Sequence, residues 1–150
     1  MRILIIGASK GIGLETTRQS LAAGYDVRAL ARSASSLDLQ DARLEKMRGN
    51  ALNQHDVEAA LVGVDAVILT LVVGLGELIK PVQLFSDATR VLISAMKDQA
   101  VKRLICVNGL GAGDSHASIG LTQRVPRQIV FARAYYDTRH WRMHTSASGF

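Results

Sequence analysis

Cysteine, phenylalanine and long apolar runs are what this chain has least of. One cysteine, Cys106, stands among 150 residues, so no disulfide can form within the chain. Cys106 lies in an apolar run, where a small core residue is expected rather than a reactive thiol. Aromatic residues make up 5% of the chain and only three are Phe, although 48% of residues are hydrophobic. The core must then be aliphatic, as in α/β proteins. No stretch is both long and apolar enough to span a bilayer, so no membrane partner is expected. The N-terminus runs straight into an apolar segment with no basic, cleavable leader before it, which predicts a cytoplasmic protein. Metal ligands are also scarce. His140 and His144 stand four residues apart on an expected helix, but no third ligand accompanies them, and no metal is expected. Ser115 and His116 lack an acid partner and make no hydrolase signature.

Charge is unevenly placed. The net charge is +5, from 18 basic and 13 acidic residues. Residues 124–150 hold Arg124, Arg127, Arg133, Arg139 and Arg142 against Asp137 alone, which leaves 13 basic and 12 acidic residues in the first 123. The excess belongs to the tail. Without a recognition motif or interleaved aromatics it does not predict nucleic-acid binding.

What the chain does have is concentrated at its start. Ile3–Ile6 leads directly into Gly7, Ser9, Lys10, Gly11, Ile12 and Gly13, and then into a helical pattern. A strand apolar in both directions is the central strand of a parallel sheet covered on both faces. Glycines after it let the backbone turn tightly, let phosphates approach, and let the following helix pack close to the strand. The positive end of that helix then offers free N–H groups to a dinucleotide pyrophosphate. Gly7, Ser9, Lys10, Gly11, Ile12 and Gly13 are the candidate phosphate-binding residues.

Strand and helix patterns alternate through the chain, which predicts an α/β fold with a doubly wound parallel sheet in one domain over residues 1–150. Strands are expected near Arg2–Ile6, Tyr25–Ala31, Leu44–Met47, Asp65–Val73 (with its exit) and Lys102–Val107. Helices are expected over Gly11–Ala23, closed by Gly24, over His55–Leu61, closed by Gly63, and over Pro81–Gln99. The polar stretch Ser33–Ser36 reads as loop, Gly109–Gly113 as a flexible loop, and a final helix is expected after Pro126.

These segments resemble the short-chain dehydrogenase/reductase superfamily, and more closely its atypical branch of NmrA-like and flavin/biliverdin reductase-like proteins. The resemblance covers essentially the whole chain. It rests on the G-x-x-x-G-x-G turn from Gly7 to Gly13 and on Gly24–Arg32, Gly49–Asn53 and Ala60–Ile68. It implies a Rossmann fold that binds NAD(P)H at the carboxyl ends of the strands. It implies that Asn50 and Ala51 flank adenine, with Asn50 where relatives carry Asp. It also implies that Leu71 and Val72 approach the adenosine ribose and the nicotinamide, the alternative being that both are ordinary core. A homodimer through the last two helices is implied as well.

Cofactor choice has a physical reading. NAD sites place a carboxylate at the end of the second strand for the ribose hydroxyls, whereas NADP sites place a cation there for the 2′-phosphate. This chain has Arg32 at that point, 25 residues after Gly7, and no acid beside it. A planar guanidinium suits bidentate phosphate contact, and Lys10 adds a second positive charge. NADP(H) is therefore expected in preference to NAD(H); the alternative leaves Arg32 a solvated loop residue and Lys10 a turn residue.

Catalytic residues are harder to find. The main branch of the superfamily uses a Ser and a Tyr-x-x-x-Lys, and no Tyr-x-x-x-Lys occurs here. The nearest match is Tyr135 with Arg139, and Arg cannot readily give up its proton. The fifth strand ends Cys106-Val-Asn108-Gly109 where relatives often carry hydroxyl side chains. Near the tail, Thr138 and Arg142 stand where atypical relatives have Lys and Glu, and the match returns at Ser148, Gly149 and Phe150. The chain is expected to be C-terminally truncated relative to the family, ending before a sixth strand and leaving the fifth as an edge. Two functions follow from the resemblance. One is an NADPH-dependent oxidoreductase passing a hydride to a small electron-poor acceptor of flavin, quinone or tetrapyrrole type. The alternative is a non-catalytic NADP(H)-binding redox sensor or regulatory module.

Overall fold

The computed structural model describes residues 1–71 and 84–107. The chain divides into two compact units, residues 1–71 with 91–107 and residues 72–90 with 108–150. The first unit carries the sheet. Of the second, only residues 84–90, the opening turns of a helix, are described.

The elements are β1 (Arg2–Ile6), α1 (Gly11–Ala22), β2 (Asp26–Ala31), a short 3-10 turn (Ala34–Ser36), β3 (Leu44–Arg48), α2 (Gln54–Leu61), β4 (Ala66–Leu69), α3 (Leu84–Asp98) and β5 (Leu104–Cys106). All strand pairs are parallel, in the order β3-β2-β1-β4-β5. This is the doubly wound sheet that the alternating pattern predicts. β5 pairs only with β4 among the described residues, and Ile105 at its centre is 50% exposed.

Alternation along the strands feeds two cores. Leu4, Ile6, Leu30, Val67 and Leu69 pack on one face with Val57, Ala60 and Leu61 of α2 and Leu92, Ala95 and Met96 of α3. Ile3, Ile5, Val27, Ala29 and Ala31 pack on the other with Leu21 of α1 and Leu37. Both faces of the central strand are dry, which is why its sequence is continuously apolar.

Among the described residues Thr89 Oγ1 on α3 is buried without a hydrogen-bond partner, whereas the buried charge is satisfied. Arg28 of β2 is buried, yet its Nε donates to Glu45 Oε2 and one terminal nitrogen donates to the carbonyls of Ala60 and Val62, each at 2.8 Å. The guanidinium thus takes up carbonyls that the last turn of α2 leaves free. At the end of α1, Gly24 has φ +86°, its N–H reaches Leu21 O at 3.0 Å, and Tyr25 N–H reaches Ser20 O at 3.1 Å. That is the Schellman closure expected of a glycine at this position.

Two local differences from the sequence reading have physical causes. β4 stops at Leu69 because β1 turns away at Gly7; Thr70 N–H makes its bond to Ile6 O at 2.9 Å, the last on that ladder. Ser33–Ser36, read as loop, winds into the 3-10 turn through Ser36 N–H to Ser33 O and Leu37 N–H to Ala34 O. The expected final helix, Pro81 and the Gly109–Gly113 loop lie outside the described residues.

Candidate dinucleotide-binding site

The glycines after β1 each answer a different constraint. Gly7 has φ +89°, and a Cβ there would lie 2.8 Å from Thr70 O. Gly13, buried in the first turn of α1, faces a tighter limit: its Cβ would lie 2.2 Å from Gly7 O and 2.5 Å from Thr70 Oγ1. Gly11 has φ +53° with open space where a side chain would stand. Close approach explains two of them and backbone handedness the third.

Buried hydroxyls brace this turn. Thr70 Oγ1 donates to Ile6 O at 2.9 Å and Thr17 Oγ1 donates to Gly13 O at 2.8 Å. Thr70 was not singled out by the sequence; the signal was its place, level with the glycine turn at the end of the neighbouring strand.

The start of α1 is open. Lys10 occupies the N-cap position in extended conformation, no side chain caps the helix, and its first turn holds no acid. The start of α2 is the opposite case. There Asn53 Oδ1 accepts Asp56 N–H at 3.1 Å, and Asp56 itself lies in the first turn. A helix that begins on glycines, uncapped and without a neighbouring carboxylate, presents donors and positive potential to an anion. At Gly11 a Cβ would meet nothing within 4 Å, so the turn leaves open space beside the uncapped helix start, which suits a pyrophosphate.

The remaining candidates gather at the same edge, since each follows the carboxyl end of a parallel strand. Ser9 is half-buried and Lys10 exposed in the turn; Ile12 is 53% exposed. Arg32, the first residue beyond β2, is exposed and has no partner among the described residues. Asn50 is exposed beyond β3; its N–H donates to Asp56 Oδ2 at 2.8 Å and its Oδ1 accepts Leu52 N–H at 3.1 Å. Ala51 and Leu71 are half-buried and pack against the α2–α3 core, so Leu71 has the contacts of an ordinary core residue. Val72 lies outside the described residues, as do Asn108, Tyr135, Arg139, His140 and His144. Cys106 closes β5, and burial pushes its thiol up to about 12, far from the reactive range.

A family model described as NAD(P)H-binding matches residues 7–149. The chain belongs to this NAD(P)H-binding family. An uncharacterised protein of Bacillus subtilis, YwnB, is 32% identical over 138 residues, covering 92% of this chain and 60% of its own. Among solved structures, the anaerobillin reductase ChuY of Escherichia coli O157:H7 is 23% identical with a TM-score of 0.68, covering 94% of this chain and 66% of that one. The oxidoreductase YlbE of Lactococcus lactis is 22% identical with a TM-score of 0.72, covering 94% and 60%. A short-chain dehydrogenase/reductase of Veillonella parvula, at 15% identity and a TM-score of 0.73, has the same fold over 93% of this chain and 62% of its own. These structures share the Rossmann-like fold of the chain, which spans about 60% of the length of the Bacillus subtilis relative. No helix among the described residues is long and apolar enough to cross a membrane.

Proposed function

We propose that the chain is the nucleotide-binding part of an NADPH-dependent oxidoreductase that delivers a hydride to a small electron-poor acceptor of flavin, quinone or tetrapyrrole type. The observation that carries this reading is the glycine cradle at the uncapped start of α1. Backbone N–H groups from Gly7 to Gly13, with Ser9 and Lys10, hold the pyrophosphate. Arg32 takes the 2′-phosphate, Asn50 and Ala51 flank the adenine, and Leu71 and Val72 border the ribose and the nicotinamide. The bound nicotinamide supplies the hydride; the chain supplies orientation and charge. Acceptors that are already electron-poor need little proton donation from side chains, which agrees with the lack of a Tyr-x-x-x-Lys. The fold shared with a structure named as an anaerobillin reductase makes tetrapyrroles the first acceptors to test.

The same missing motif favours a second reading, a non-catalytic NADP(H)-dependent sensor. One experiment separates the two. NADPH oxidation is followed with FMN, a soluble quinone and a linear tetrapyrrole, alongside a direct binding titration. Turnover above the buffer control supports the reductase, and saturable binding without turnover supports the sensor. Absence of binding overturns both.

A further inference from the structure

The loop that follows β3, Gly49–Asn53, is held both from within and from α2. Asp56 Oδ2 accepts the N–H of Asn50 at 2.8 Å, and Asn53 N–H donates to Asn50 O at 2.9 Å. Asn50 Oδ1 accepts Leu52 N–H at 3.1 Å, and Asn53 Oδ1 accepts Asp56 N–H at 3.1 Å. Gly49 is required for the close approach, since a Cβ there would lie 2.7 Å from Leu30 Cδ1 and 3.2 Å from Asp56 Cβ. Asp56 stands where the acid of a capping box stands, but it reaches back past the N-cap to the loop.

Of the polar groups of Asn50, these bonds leave only the side-chain nitrogen. A main-chain N–H can bond only to the oxygen of a side-chain amide, so Leu52 fixes which end of the Asn50 amide is which. The oxygen is taken by the loop. Nδ2, which can only donate, has no partner among the described residues, and Asn50 is exposed. The place of the loop in the sheet gives this donor a use. The glycine turn suits a pyrophosphate at the end of β1, and the adenosine ribose of a dinucleotide lies at the end of β2. A base carried outward from that ribose meets β3, the next strand in the sheet, and arrives at Gly49–Asn53 with the edge farthest from its sugar. On adenine that edge holds one acceptor, the ring nitrogen N1, and one donor, the exocyclic amine.

We propose that Asn50 recognises the adenine of the bound dinucleotide as a donor, through Nδ2–H to N1. This inference rests on the reading above, in which Asn50 lies beside the adenine. A carboxylate at this position would accept from the exocyclic amine instead, so the asparagine inverts the polarity of the contact. Hypoxanthine carries a hydrogen on N1 and would meet Nδ2 donor to donor, leaving both unpaired. The competing reading makes Asn50 only a turn residue, its side chain serving Leu52 N–H, and it predicts indifference to the base.

The test is a fluorescence titration of the unaltered chain and Asn50→Asp with NADPH and NADH, and with the analogue of each in which hypoxanthine replaces adenine. The carboxylate of Asn50→Asp keeps an oxygen for Leu52 N–H and exchanges the donor for an acceptor, so the turn is retained. Its added negative charge acts on both bases alike and cancels in their ratio. The expected result is a preference for adenine of about tenfold in the unaltered chain, falling to within about twofold in Asn50→Asp, as for one hydrogen bond made against one left unmade. Asn50→Ser, whose hydroxyl can still take Leu52 N–H but is shorter, should lose the preference too, and it decides the matter if the aspartate variant melts early or binds neither base. A preference for adenine that persists or grows in the variants overturns the inference. So does an unaltered chain that binds both bases equally; in either case saturable binding of the natural dinucleotide leaves the reading above intact. If the unaltered chain binds neither NADPH nor NADH, that reading is overturned and this inference falls with it.

Discussion

Gly11 and Gly13 stand two residues apart, but a methyl group at each meets different surroundings. At Gly13 the new Cβ collides with the backbone of Gly7 and the hydroxyl of Thr70, neither of which is the free end of a flexible chain. Gly13→Ala should cost about 2 kcal/mol through overpacking, lowering the melting temperature by roughly 4–8 °C. Gly11→Ala meets no atom and bears only the left-handed backbone, costing about 1 kcal/mol or less after the loss of unfolded-state freedom. Thermal melts of the two variants should rank in that order; equal effects would mean the turn is looser than its contacts indicate. A second residue-scale prediction concerns Cys106, whose thiol is raised to about 12 from an ordinary 9.0 by burial. At pH 8 its thiolate fraction falls by a factor on the order of a thousand, so Ellman's reagent should react far more slowly with the folded chain than with the chain in denaturant. Reaction at similar rates in both would place the thiol in water.

Among the elements, helix ends carry the sharpest expectations. α3 closes with the same bonding as α1: Ala100 N–H reaches Lys97 O at 3.2 Å and Val101 N–H reaches Met96 O at 2.9 Å. Here, however, the left-handed position is held by an alanine at φ +55°, where α1 uses Gly24. Ala100→Gly should stabilise by about 0.5–1 kcal/mol, read as a melting temperature higher by a few degrees. A fall in melting temperature would show that unfolded-state entropy outweighs the strain. The contrast also shows what was legible in the sequence. Gly24 and Gly63 announced the ends of α1 and α2, because glycine marks a left-handed residue, whereas Ala100 gave no sign. Strand identity came from apolar runs, but the end of β4 did not: it depends on where β1 turns away, a fact of pairing rather than of local pattern. The phosphate turn was legible for the same reason as the helix ends, since glycine spacing is itself the structural requirement. Thr70 was not, because its relevance comes from the pairing of strands distant in sequence.

At the scale of the molecule, the nucleotide edge collects the carboxyl ends of β1, β2, β3 and β4, so ligand binding should stabilise the unit as a whole. With NADPH at about a hundred times its dissociation constant, the gain is about 2.7 kcal/mol, or roughly 5–10 °C in a melt. NADH at the same concentration should give a smaller shift. An equal shift would show that the positive charge beyond β2 does not distinguish the two.

The turn between β1 and α1 needs glycine for its geometry and takes its donors from the main chain, which every residue possesses. The edge beyond β2 offers instead Arg32, a long side chain that stands in solvent with no partner among the described residues. On the proposed reading, gripping a dinucleotide and choosing between dinucleotides are separate properties, located in different kinds of atoms. On that reading, a lineage could move such a protein from one pool of reducing equivalents to the other by exchanging one surface arginine, with no change to the frame that holds the cofactor.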